Sequence, residues 1–172
     1  MRKKLTSPTR TFDGVVYQLK SLVICEELSE ETLLFGGDLY ADGKLIGRFE
    51  NDGHGASTFG YLEPGVRELA AKLNESLSHF RAFPEEEFLQ HVMLNLHELA
   101  DMLAYDTLEW NEIKRKQANH LVLRKGRTLY IQKLAHPISA ILSNERLATL
   151  LRKKMQDEEK DGFEIMNTNI KF

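Results

Sequence analysis

The chain has 172 residues, 42% of them hydrophobic and 28% charged, which is apolar enough for a packed domain and too apolar for a disordered chain. No apolar run approaches the roughly 20 residues needed to cross a bilayer, and the lone Cys25 excludes an intrachain disulfide or a CxxC metal or redox site, so a reducing, cytoplasmic setting and no membrane partner are expected. The net charge of −3 conceals segregation: residues 26–110 carry five basic and eighteen acidic side chains, residues 111–160 twelve and five.

The basic start, Met1-Arg2-Lys3-Lys4, is followed by Thr6, Ser7, Thr9, Arg10, Thr11 and Asp13 where a signal peptide would need apolar residues, so residues 1–12 read as a frayed basic arm ahead of one α+β domain over 13–172. Val15 to Cys25 is rich in β-branched and aromatic residues and reads as a strand. Thr32 to Tyr40 and Leu45 to Glu50 flank Ala41-Asp42-Gly43-Lys44, a hairpin in which Asp-Gly supplies the positive φ angles of a type I′ turn. Asn51-Asp52-Gly53-His54-Gly55 then forces a loop.

Pro64 opens a predicted helix to about residue 80, with Val66, Leu69, Ala70, Leu73, Leu77 and Phe80 at helical spacing. A second is predicted from Pro84 and Glu85-Glu86-Glu87, with Phe88, Val92, Leu96, Leu99 and Leu103 on one side. Asp106 and Glu109 match a capping box for a third, which ends in Lys114-Arg115-Lys116. His120 to Leu123 and Thr128 to Lys133 flank a basic turn, Ser143 is the predicted N-cap of a last helix, and Gly162 releases the chain into a short strand over 163–166. The expected fold is α+β: a small antiparallel sheet from the N-terminal strands, the hairpin and the C-terminal strands, packed on about four helices.

Two clusters are candidates for chemistry. In Asn51-Asp52-Gly53-His54-Gly55, Asp52 and His54 could bind a divalent metal or act as base and acid, with Asn51 orienting a ligand; alternatively Asn51 and Asp52 bond back to the chain and shape the turn. Lys114, Arg115, Lys116, Arg124, Lys125 and Arg127, with Tyr130 as a stacking surface, could contact nucleic acid, or could be a solvated surface. His91 and His97 are six residues apart, so they cannot share a metal as an i, i+4 pair would; His97 suits Asp101 and His91 suits Glu87 as helical neighbours. The chain carries no GxxxxGKS/T, GxGxxG, GxSxG or HExxH motif.

Leu39-Tyr40-Ala41-Asp42-Gly43-Lys44 followed by Asn51-Asp52-Gly53-His54-Gly55 resembles a family of small proteins carried by phages, prophages and plasmids, over about residues 33–61. Ala56 stands where that family continues with a second glycine. The resemblance implies an accessory protein of a mobile element that interferes with a host protein or defence complex. The leading expectation is therefore a non-enzymatic binding protein with no cofactor. The alternatives are a small metal-dependent hydrolase acting on a phosphodiester or nucleotide through the 51–55 loop, and a nucleic-acid- or nucleotide-binding module.

Overall fold

The computed structural model describes residues 5–83, 89, 91–126 and 128–171. The fold is α+β, with two antiparallel sheets and four α-helices among the described residues. The chain divides between Leu108 and Glu109 into two compact units, where the sequence suggested one domain. The first carries ten basic and eighteen acidic side chains, the second thirteen and eight.

The first unit is built on a five-stranded sheet in sequence order: β1 (Arg10–Phe12), β2 (Val15–Ile24), β3 (Phe35–Ala41), β4 (Lys44–Asn51) and β5 (Phe59–Leu62). Each strand is antiparallel to the next, as in a meander whose connections make no crossover. At the β3–β4 turn Asp42 and Gly43 take φ of 47° and 78°, the two positive values expected there. The Asp42 carboxylate also accepts from the Val16 N–H at 2.9 Å, tying the turn to β2.

Residues 5–12 are not a frayed arm. Leu5 exchanges backbone hydrogen bonds with Leu22 at 2.7 and 2.9 Å, and Ser7 N–H donates to the Leu19 carbonyl at 2.8 Å. The Ser7 hydroxyl accepts from Leu19 N–H, and β1 continues the pairing. The segment looks unstructured because its side chains are polar, but what it supplies is backbone partners for β2, a need that hydropathy does not register. Residues 1–4 lie outside the described residues.

Alternation along β2, β3 and β4 puts Tyr17, Leu19, Leu39 and Phe49 in the core. In the same cluster are Ala70, Leu73 and Leu77 of α1 (Arg67–Leu77) and Leu96, Leu99 and Leu103 of α2 (Leu96–Lys116). The Tyr17 hydroxyl is buried without a hydrogen-bond partner; burial, aided by the negative charges of Asp42 and Asp13, pushes its pKa up to about 12.

Two helix expectations are corrected. Of the one predicted from Pro84, residues 84–88 lie outside the described residues, and helix begins only at Leu96. Asn95 caps that start, its Oδ1 accepting from the N–H groups of His97 and Glu98 at 2.8 and 3.1 Å. Asp106 caps nothing, because α2 runs through it unbroken for 21 residues. Its two carboxylate oxygens instead take two hydrogen bonds from Arg10, at 2.6 and 2.8 Å, a bidentate pair that occupies the group a cap would need.

The second unit holds a three-stranded sheet in the order β7-β6-β8, with β6 (His120–Lys125) between β7 (Thr128–Lys133) and β8 (Glu164–Ile165). Both pairings are antiparallel. Helices α3 (Ile138–Leu142) and α4 (Glu145–Lys160) lie between β7 and β8 in the chain. The N-cap of α4 is Asn144, whose side chain accepts from Leu147 N–H at 3.1 Å. The expected cap, Ser143, closes α3 instead. Gly162, with φ of 85°, turns the chain out of α4 as expected. The C-terminal strands thus belong to a sheet separate from the first.

Candidate binding site

The 51–55 loop leaves the sheet at the end of β4, and its frame is set from beneath. Asn51 is 5% exposed, since alternation along β4 turns it inward like Phe49. All its polar atoms are used: Oδ1 accepts from the Thr32 hydroxyl at 2.8 Å and from Gly53 N–H at 2.9 Å. Nδ2 donates to the Ala56 carbonyl at 3.0 Å and to the Thr58 hydroxyl at 3.2 Å. Asn51 is therefore a structural residue of the loop, with no capacity left to orient a ligand. The Gly53 carbonyl in turn accepts from the N–H groups of Glu30, Glu31 and Thr32, so the loop is stitched to residues 30–32. Gly53 needs its φ of +84°, and a Cβ there would lie 3.0 Å from Leu34 Cβ and 3.2 Å from the Leu28 carbonyl oxygen.

The network continues into α2. Thr58, 4% exposed, donates its hydroxyl proton to Asp101 at 2.6 Å. Burial raises the Asp101 carboxyl to about 6; the Thr58 hydrogen bond opposes that rise and the nearby charge of Glu98 adds to it. Asp101 thus faces Thr58, and its helical neighbour His97 lies against the Phe49 ring, centroids 5.5 Å apart. His91 is exposed, and Glu87 lies outside the described residues.

What the loop presents outward is Asp52 and His54. The Asp52 carboxylate accepts from His54 N–H at 3.1 Å, an Asx turn. His54 Nδ1 lies 3.2 Å from a Glu30 carboxylate oxygen, both side chains more than half exposed. Gly55 N–H donates to the Thr32 hydroxyl. The arrangement is a fixed platform carrying an acid and an imidazole. Among the described residues no three His, Cys, Asp or Glu side chains come together in a way that could hold a metal ion.

The basic cluster is differently placed. Arg124 pairs with Glu109 and lies 3.9 Å from Glu164. Lys125 donates to the Asp161 carbonyl at 2.8 Å and sits over the Phe163 ring. Tyr130 stands edge-on to that same ring, centroids 5.2 Å apart. Lys114 lies over Trp110, and Arg115 lies 3.7 Å from Glu112. Lys116 is half-buried at the end of α2, and Arg127 lies outside the described residues. Most of this charge has partners within its own unit.

A third surface has no counterpart in the sequence analysis. β5 ends the five-stranded sheet, and its apolar side chains are turned out: Phe59 is 55% and Tyr61 63% exposed, with Leu62 beside them. The strand pairs through Glu50↔Phe59 and Arg48↔Tyr61, so both rings share a face with those charged residues. Gly60 seats the strand, because a Cβ there would lie 2.5 Å from the Phe49 ring and 3.0 Å from His97. The readable signal was the order of residues in Phe59-Gly60-Tyr61-Leu62: aromatics on one parity and a glycine between them, four residues past a loop.

No described helix is long and apolar enough to cross a membrane. No family model, curated protein or solved structure matches the chain.

Proposed function

We propose that this chain is a binding protein that acts without catalysis, by occupying a surface of a partner protein with β5 and the 51–55 loop. The observation that carries this reading is the pair of exposed rings, Phe59 and Tyr61, on the last strand of the sheet. An edge strand offers unpaired backbone donors and acceptors, and exposed aromatics are the side chains that most often anchor protein interfaces. Asn51 and Thr58 hold the loop and the approach to β5 in one conformation, which lowers the ordering cost of binding. The resemblance of the 33–61 segment to proteins of mobile elements suggests that the partner is a host protein or defence complex, met in the cytoplasm.

The test is retention of a partner from a bacterial host lysate by the wild-type chain and by the double variant Phe59→Ser/Tyr61→Ser. Both rings are exposed, so the variant is expected to keep the wild-type melting temperature while losing the partner. Equal retention by the two proteins, or no partner at all, would remove the proposal.

A further inference from the structure

The partner's contribution at this edge has a chemistry of its own. A free strand edge accepts an extended segment through backbone hydrogen bonds, while side chains of alternate residues meet the flanking faces. The unit bearing β5 has ten basic and eighteen acidic side chains, and the imbalance reaches the edge itself. Glu50 stands opposite Phe59, and Glu63, exposed, directly follows β5 with its N–H on the Ile46 carbonyl at 3.0 Å. The one cation on that face of β4, Arg48, lies between two carboxylates, 3.2 Å from Asp38 and 3.6 Å from Glu50. The face therefore combines two π surfaces with surplus negative charge. Lysine and arginine suit it twice over, as counter-ions to carboxylates and as cations over aromatic rings.

The same charge weighs against the other occupants of such a surface. Single-stranded nucleic acid stacks on exposed aromatics, but inside a groove that is positive. A second copy meeting β5 edge to edge would add the carboxylates of its own Glu50 and Glu63 to the seam and offer no surplus of cations to offset them. We infer that β5 accepts an extended, lysine- or arginine-rich segment of a partner protein, which pairs as a sixth strand and lays basic side chains over Phe59 and Tyr61. This rests on the reading of β5 as the docking edge.

The experiment uses fluorescein-labelled ten-residue peptides and the intact chain, with binding followed by fluorescence anisotropy. One peptide alternates lysine with valine, a second carries glutamate at the lysine positions, and a third replaces alternate valines of the first with proline. The first should bind, and weaken as salt rises. The second should not bind, and the third should lose binding at least tenfold because proline has no N–H to donate. Phe59→Ser/Tyr61→Ser should weaken the first peptide at least tenfold with the melting temperature unchanged. Absence of binding by the first peptide, equal binding of the acidic or proline peptide, or indifference to the double variant would each overturn the inference. So would sedimentation of the chain as a dimer that the double variant converts to monomer, since β5 would then belong to a second copy. If the peptides fail while the lysate partner still depends on Phe59 and Tyr61, only the basic strand is lost; if both fail, the docking reading goes too.

Discussion

Each unit contains one nearly buried asparagine at the end of a strand, and the two do different work. Asn167, 8% exposed, follows β8 in the second unit. Its Oδ1 accepts from Val122 N–H at 2.7 Å, and its Nδ2 donates to the carbonyls of His120 and Gln117 at 2.9 and 3.3 Å. Those partners are backbone, joined by a longer bond to the Asn169 side chain at 3.4 Å, so the bond set is fixed chiefly by the path of the chain. Asn51 divides its bonds between backbone and the hydroxyls of Thr32 and Thr58, and through Thr58 it is linked to an ionisable group, Asp101. One amide staples the chain after β8 to backbone 45 to 50 residues earlier. The other is the centre of a network that joins a loop, a strand approach and a helix.

The largest expected effect is the loss of either amide. Asn51→Ala strips partners from two hydroxyls, one N–H and one carbonyl, and at 1–3 kcal/mol for each buried group left unsatisfied the cost should be about 3 kcal/mol after partial rehydration. Asn167→Ala should cost about 2 kcal/mol by the same reasoning, because its surroundings open more readily to water. Urea unfolding followed by circular dichroism checks both. Equal small losses would show that neither network is continuous.

The difference between the networks sharpens with pH. In the folded chain Asp101 holds its proton up to about pH 6, against an ordinary carboxyl value of 3.8. A raised folded pKa means that the neutral form is the better accommodated one. Its contribution to stability is complete below about pH 4 and is lost as the pH rises through 6. Asp101→Asn should flatten that part of the stability curve and gain on the order of 1 to 2 kcal/mol at pH 7. An unchanged slope between pH 4 and 7 would place the carboxylate in water.

Smaller effects separate what faces out from what faces in. Replacing Asp52 and His54 together with Ala should cost less than about 1 kcal/mol, since exposed pairs contribute little and Asn51 keeps the loop in place. Unfolding of that double variant would mean that the Asx turn, not the buried amide, holds the loop. Tyr17→Phe removes a buried hydroxyl that has no partner and should leave the melting point unchanged or slightly higher; a clear drop would reveal a partner for that hydroxyl.

The features settled by sequence alone are those decided within a few residues. Asp42-Gly43 determines its own turn because only that pair takes two positive φ angles cheaply, and Gly162 ends α4 for a similar reason. The apolar spacing of Leu69, Ala70, Leu73 and Leu77 specifies α1, and alternation specifies β2, β3 and β4. The opposition of an acidic and a basic part of the chain is also plain from composition. Tertiary structure decided whatever depended on a distant partner. Arg10, 96 residues away, takes the Asp106 carboxylate and lets α2 run on. β2 recruits residues 5–12 because its backbone needs partners, a demand that leaves no mark on side-chain pattern. Asn51, which local chemistry offers as a turn-forming residue or as one that orients a ligand, became structural once Thr32 and Thr58 converged on it from either side of the chain. The exposure of Phe59 and Tyr61 is the clearest case, for aromatic residues in a strand are ordinarily read as core. Only the register with β4, which sets them opposite Glu50 and Arg48 on the face away from the core, leaves them exposed.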